Sequence, residues 1–93
     1  MDYDYLKYKK ILIVDDVMSN VLLLKVLLTN EKFAIATANN GRQALEQVDK
    51  ERPDLLLLDV MMPDLSGFEV AQRLKSNPDT ADIPIIFLTA LNS

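Results

Sequence analysis

Four consecutive leucines precede an aspartate near the middle of this 93-residue chain, in the run Leu55–Asp59. Pro53 stands before the run, and an acidic segment that contains proline and glycine follows it. An apolar run without polar alternation is typical of a strand that is buried on both faces, as in the centre of a parallel sheet. Asp59 is therefore predicted to stand at the carboxyl edge of that sheet, where open α/β folds bind their ligands.

A second apolar segment ends in the same way. Residues 9–14 are β-branched or aliphatic over most of their length and are predicted to form a strand, which the acidic pair Asp15 and Asp16 follows directly. A lone aspartate after an apolar run is more often a solvated loop residue or a helix cap. Two strands that both end in carboxylates favour a functional site over these alternatives, so we expect three acids at one sheet edge.

The remaining sequence alternates between helix and strand patterns. Helices are predicted at Met18–Asn30, at 42–50 and after the capping-box pair Ser66 and Glu69, and further strands at 33–38 and Ile85–Leu88. The order β-α-β-α-β-α-β predicts a parallel sheet with helices on both faces, joined by right-handed crossovers. The first helix is apolar around more than one face, so we expect it to contact partners on more than one side.

The composition narrows the class of function. The net charge of −4 and the pI of about 4.6 do not favour binding of the whole surface to nucleic acid or to an anionic membrane. The chain has no cysteine and no histidine, which excludes disulfides, imidazole or thiolate metal sites and Ser-His or Cys-His nucleophile pairs. No segment is typical of a signal peptide or a membrane span, so a cytoplasmic location is expected.

Carboxylates are the strong metal ligands that this composition leaves. Acids gathered from two strand ends repel one another and raise each other's pKa values unless a cation lies among them. Mg²⁺ suits a site with few carboxylates because the ion keeps several of its water molecules. We therefore expect weak Mg²⁺ binding at Asp15, Asp16 and Asp59, and an exposed third carboxylate beside the ion is suited to accept a phosphoryl group.

Three segments carry a resemblance to a known family. The sequences VDD, LLLLDVMMPDLSG and PIIFLTA, in that order and spacing, resemble the receiver domain of bacterial two-component response regulators. The resemblance extends from about Lys9 to the last residue, so that residues 1–8 are predicted to be an N-terminal extension and 9–93 the receiver domain. It implies a flavodoxin-like three-layer α/β/α fold with the strand order 2-1-3-4.

The resemblance also implies roles for particular residues. Asp59 would accept a phosphoryl group from the phosphohistidine of a sensor histidine kinase or a histidine phosphotransfer protein. Asp15, Asp16 and Asp59 would hold Mg²⁺, with the backbone carbonyl of Met61 as a further ligand, and Thr89 would contact the phosphoryl group. A receiver of this kind promotes its own phosphorylation and dephosphorylation and is not otherwise an enzyme. Pro63 and Gly67 match the family's shaping of the loop after the acceptor.

The chain departs from the family pattern after its fourth strand. The family continues with a fifth strand, two more helices and a lysine that pairs with the phosphoryl group, and Lys75 is not at a strand end where it would replace that lysine. We expect slow or undetectable phosphoryl transfer and, through the uncovered edge strand Ile85–Leu88, a homodimer or other self-association. The alternatives are a non-catalytic interaction or oligomerisation module and, less favoured, a metal-dependent phosphohydrolase.

Overall fold

Seven elements alternate along residues 9–88, the part of the chain that the computed structural model describes. The strands are β1 (Lys10–Val14), β2 (Ala34–Ala38), β3 (Leu55–Asp59) and β4 (Ile85–Leu88). The helices are α1 (Met18–Asn30), α2 (Gly41–Glu51) and α3 (Gly67–Lys75). This order confirms the predicted alternation, whereas the predicted extension 1–8 and Thr89 lie outside the described residues.

The four strands form one parallel sheet in the order β2-β1-β3-β4, as predicted. The two strands that end in acids, β1 and β3, are neighbours in the middle of this sheet. Their register pairs Ile11 with Leu55 and Val14 with Leu58. Because parallel strands run in the same direction, this register brings the residues that follow Val14 and Leu58 to the same edge of the sheet.

Alternate residues of the two central strands are buried on opposite faces of the sheet. On one face, Leu12, Val14, Leu56 and Leu58 pack with residues of α2 and α3. On the other face, the buried cluster consists of Ile11, Ile13 and Leu57 with Val21 of α1. The leucine run is therefore buried on both faces, and the predicted three-layer arrangement is confirmed.

The helix boundaries follow from local chemistry. The side chain of Asn40 accepts a hydrogen bond from the N–H of Gln43 and caps α2, so this helix begins at Gly41, one residue before its predicted start. The same helix ends where Arg52, which precedes a proline, adopts a left-handed conformation with φ 50°. Both hydrogen bonds of the predicted capping box, between Ser66 and Glu69, are present at the start of α3.

The first helix corrects one expectation. Only Val21 of α1 is buried, with Leu24 and Leu28 partly buried against the sheet. The opposite side of the helix is exposed, and its large apolar residues are Met18, Leu22, Leu23, Val26 and Leu27. Within residues 9–88, α1 thus contacts partners on one side only, because the described elements on that face of the sheet leave its outer side uncovered. No helix in the described part is long and apolar enough to cross a membrane.

Candidate functional site

Three carboxylates meet at the carboxyl edge of the sheet. Asp15 follows β1, Asp59 is the last residue of β3, and one side-chain oxygen from each of Asp15, Asp16 and Asp59 lies within 4.8 Å of the others. Asp15 and Asp59 are 4% and 7% exposed, whereas Asp16 is exposed. The predicted meeting of three acids at one edge is confirmed, but the exposed acid is Asp16, whereas Asp59, at the end of the central strand, is buried.

Asp15 is held in place through both of its carboxylate oxygens. Its Oδ1 accepts a hydrogen bond of 2.9 Å from the N–H of Val17, which is an Asx-turn geometry. Its Oδ2 accepts a hydrogen bond of 3.2 Å from the side-chain amide of Asn20, in the first turn of α1. Its own N–H donates to the carbonyl of Ala38, which ties the residue to β2. The orientation of Asp15 is thus fixed by two donors to its carboxylate, Val17 and Asn20, and by one backbone acceptor, Ala38.

The carboxylate of Asp59 has a different environment. Its Oδ1 accepts one hydrogen bond, of 3.2 Å, from the N–H of Met61. Met61 itself is 71% exposed, while the next residue, Met62, is buried in the core and anchors the loop. No N–H group of the described residues is found to donate to the other oxygen of Asp59, and the neighbouring carboxyl of Asp16 can share a hydrogen bond with Asp59 only when one of the two acids is protonated. One oxygen of this buried carboxylate is therefore left for another partner.

The loop between β3 and α3 returns closely over Asp59. The N–H of Gly67 donates to the carbonyl of Val60 at 3.0 Å, and a Cβ atom on Gly67 would overlap the backbone carbonyl of Asp59. Within the loop, Asp64 adopts a left-handed conformation with φ 69°. Glycine is required at position 67 because no side chain fits between the helix start and the strand end. The predicted structural role of Gly67 is confirmed.

The electrostatics of the site disfavour three negative charges without a cation. Burial raises the pKa of the Asp59 carboxyl, the N–H of Met61 lowers it, and the charges of Asp15 and Asp16 raise it further. The net direction is upward, which means that the charged form of Asp59 is destabilised by its surroundings. A cation among the three oxygens would stabilise the charged form of Asp59 and so offset this destabilisation.

The donor set fits Mg²⁺. The ion prefers oxygen ligands, and the site offers carboxylate oxygens from two buried residues and one exposed residue. A small cavity of about 110 Å³, whose lining includes Asp15, Asp16 and Asn39 but not Asp59, lies on the β1 side of the acids and has room for water. This room for water suits an ion that keeps part of its hydration shell.

Two further residues from the sequence argument lie elsewhere. Thr89 follows β4 in the sequence and lies outside the described residues, so its contact with a phosphoryl group stays a prediction. The ammonium group of Lys75 donates hydrogen bonds to the carbonyls of Ala81 and Ile83, at 2.9 and 2.7 Å. These carbonyls lie in the loop that leads into β4, at the opposite end of the sheet from the acids. Lys75 therefore has a structural role there.

Asn20 is the site residue that the sequence argument missed. Asparagine is a weak helix former. Its presence in the first turn of α1 is therefore a local sign that its side chain forms a hydrogen bond elsewhere. Its partner, Asp15, is five positions earlier, which is more than one helical turn. Only the bend of the chain between β1 and α1 brings the two side chains together.

Comparison with known proteins agrees with this geometry. The sequence model of the response regulator receiver domain family matches residues 11–93. The response regulator PleD of Caulobacter vibrioides is 46% identical over 83 residues, which are 89% of this chain and 18% of that protein. The chain thus spans about a fifth of the length of this curated relative.

Solved structures show the same fold. The N-terminal domain of a response regulator receiver protein from Methanoculleus marisnigri superimposes with a TM-score of 0.85 and 40% identity, over 87% of this chain and 66% of that one. The response regulator TrrA from Thermotoga maritima, solved in complex with Mg(2+)-BeF, gives a TM-score of 0.83 and 41% identity, over 91% of this chain and 72% of that one. These similarities agree with the flavodoxin-like arrangement of the described elements.

Proposed function

Because this chain belongs to the response regulator receiver domain family, which acts in two-component signalling, we propose that it is a phosphoacceptor in a phosphorelay. The observation that carries the proposal is the buried carboxylate of Asp59 at the end of the central strand, beside two more acids. Asp59 is the proposed acceptor because it has the raised pKa and an oxygen to which no N–H group of the described residues donates. Asp15 and Asp16 are the proposed Mg²⁺ ligands, with the backbone carbonyl of Met61.

The proposed reaction is an in-line transfer of a phosphoryl group. The N–H of Met61 holds Oδ1 of Asp59, and we assign the attack on phosphorus to Oδ2. The bond from Oδ2 to phosphorus forms while the bond from phosphorus to the imidazole nitrogen of a phosphohistidine breaks. The imidazole leaves with its electron pair and takes up a proton from solvent. The product is an acyl phosphate on Asp59.

A bound Mg²⁺ ion supplies positive charge that offsets the charges of the acids and of the transferring oxygens. The protein's own contribution is orientation. Val17 and Asn20 fix the carboxylate of Asp15, and the Gly67 contact fixes the backbone of Asp59. The burial of both acids keeps water away from one side of the reacting group. Such fixed groups need no reorganisation when the transfer occurs.

The partner and the cellular setting follow from the same proposal. The donor would be a sensor histidine kinase or a histidine phosphotransfer protein, in the cytoplasm. Thr89 is proposed to contact the transferred group. Self-association of this chain also stays a prediction, and light scattering over a series of protein concentrations measures it directly.

The test of the proposed function uses acetyl phosphate and Mg²⁺ with three proteins. The wild type and the control variant Asp82→Asn are expected to incorporate acid-labile phosphate, because Asp82 is an exposed residue of the loop before β4. Asp59→Asn is expected to incorporate none. Removal of Mg²⁺ with a chelator should abolish incorporation in the wild type and in Asp82→Asn. Equal incorporation by Asp59→Asn and the wild type would contradict the proposal.

A further inference from the structure

A cavity of about 260 Å³ lies between the start of α2 and the loop that joins β3 to α3. It shares no lining residue with the three acids of the candidate site. Arg42 of α2 and Arg73 of α3 both line this cavity, and its apolar lining comes from Leu45, Pro63 and Leu65. Two arginines that are far apart in the sequence thus line one cavity, whose surface is part polar and part apolar.

Neither arginine has a carboxylate partner in the described part of the chain. The ion pairs found there join Lys10 to Glu51 and Arg52 to Asp49. Arg73 has an acid one helical turn earlier, at Glu69, and the two side chains form no ion pair. In a protein of net charge −4, two unpaired guanidinium groups at one cavity are a local excess of positive charge.

The position of Arg42 adds to this charge. It is the second residue of α2, where the helix dipole is positive, and the first turn of α2 contains no acid. A cation at this end of a helix works against helix stability, and such a local conflict is typical of residues that serve a function. The conflict is relieved when an anion occupies the cavity.

The wall of the cavity is set by close backbone contact. A Cβ atom on Gly41 would lie 2.8 Å from both the Cβ and the carbonyl oxygen of Leu65, so α2 and the loop are tightly apposed there. Asp64, in its left-handed conformation, also lines the cavity and contributes a negative charge. The net formal charge of the lining is therefore positive, with two arginines and one aspartate.

We propose that this cavity binds small organic phosphate monoesters. Two guanidinium groups match the two charges of a monoester dianion, and their planar forks match its oxygen geometry. The apolar residues of the lining suit a small carbon group on the phosphate. The cavity volume of about 260 Å³ is slightly below the range for drug-sized ligands, which is about 300–1,000 Å³, and so suits only a small monoester.

The test is an NMR titration with phenyl phosphate, in Mg²⁺-free buffer that contains a chelator. The amides of Gly41, Arg42 and Leu65 are expected to shift, with a dissociation constant on the order of millimolar because the two arginines are exposed. Inorganic phosphate, which lacks the carbon group, should bind about threefold more weakly.

Charge variants make the test decisive. Arg42→Gln and Arg73→Gln should each weaken binding by about fivefold or more, because each removes a charged donor. Asp64→Asn should tighten it by about twofold, since it removes a repelling charge and asparagine tolerates the left-handed backbone. Lys25→Gln, which removes an exposed charge from α1, is the control and should change nothing. Unchanged affinity in both arginine variants, or shifts confined to Asp15 and Asp59, would overturn the proposal.

Discussion

The junctions β1–α1 and β3–α3 both place an acid at the same edge of the sheet, yet they hold that acid differently. At the first junction, both carboxylate oxygens of Asp15 accept hydrogen bonds, from Val17 and Asn20. At the second, Asp59 accepts one, from Met61, and its pKa is raised by burial and by the neighbouring acids. The difference supports the proposed roles, in which Asp15 is a metal ligand and Asp59 is the acceptor.

The two junctions also differ in how their helices begin. The residue before α1 is Val17, whose side chain makes no capping hydrogen bond, and the first turn of α1 has no acid. The residue before α3 is Ser66, which forms a complete capping box with Glu69. The start of α3, which follows the proposed acceptor, is therefore fixed by its own capping bonds, while the start of α1 relies on the hydrogen bonds that Val17 and Asn20 donate to Asp15. At the first junction, the same residue, Asp15, therefore affects both the stability of the helix start and the geometry of the candidate site.

The largest effect is expected from Gly67→Ala, which breaks the second junction. The new Cβ would overlap the carbonyl of Asp59, so the strand end and helix start must separate, at a cost of about 3 kcal/mol in the free energy of unfolding. Urea denaturation measures this cost. Gln72→Ala, on the exposed side of the same helix, is the control and should stay within about 0.5 kcal/mol of the wild type. A neutral Gly67→Ala would show that the contact does not hold the junction.

Asp59→Asn is expected to stabilise the protein in the absence of Mg²⁺. The folded state raises the pKa of Asp59 above its ordinary value of 3.8, so the folded protein binds a proton more tightly than the unfolded chain. Wild-type stability should therefore fall as pH rises from 3.8 through the raised pKa, and the variant should lack this fall. Thermal unfolding of both proteins across that pH range measures the difference.

With Mg²⁺ present, the wild type is expected to be more stable than Asp59→Asn. An ion that binds only the folded state, at ten times its dissociation constant, adds about 1.4 kcal/mol. The variant should gain less, because it lacks one of the three carboxylates. If, without Mg²⁺, the stabilities of the wild type and of Asp59→Asn changed equally with pH, the assignment of a raised pKa to Asp59 would be contradicted.

A pair of cap variants tests the contrast between the helix starts. Ser66→Ala removes the capping-box bond from the N–H of Glu69 to the hydroxyl of Ser66 and should cost about 1 kcal/mol. Val17→Thr introduces a capping oxygen where α1 has none, in an extended backbone that suits it, and should add about 0.5 kcal/mol. Chemical denaturation measures both changes. If Val17→Thr were less stable than the wild type, the missing cap at position 17 would not be what limits the stability of α1.

The smallest change in stability is expected from Asn20→Ala. Loss of one partly buried hydrogen bond of 3.2 Å should cost about 0.5 kcal/mol. Its effect on metal binding should be larger, since partners that orient a ligand typically change affinity by about tenfold. Mg²⁺ titration followed by amide shifts measures the affinity, with Ser19→Ala on the same helix turn as the control. An unchanged Mg²⁺ affinity would show that Asn20 does not position Asp15.

Local sequence patterns predicted much of the fold because they reflect burial directly. The leucine run fixed β3 as a central strand, and the repeated strand-acid pattern located Asp15, Asp16 and Asp59 at one edge. The side of α1 that meets the sheet was not predictable, since apolar residues surround that helix. Asn20 and the pairing of Arg42 with Arg73 at one cavity were missed for a related reason. These contacts depend on how separate elements pack, which periodicity does not encode.

The most direct test of the account is to locate the phosphoryl group on the chain. Protein treated with acetyl phosphate and Mg²⁺ is reduced with borohydride, which converts an aspartyl phosphate to homoserine, and the peptides are analysed by mass spectrometry. The account predicts homoserine at position 59 alone, in the wild type and in Asp82→Asn. Homoserine at position 15 or 16, or equal modification of Asp59→Asn, would contradict the claim that the open oxygen of Asp59 is the acceptor.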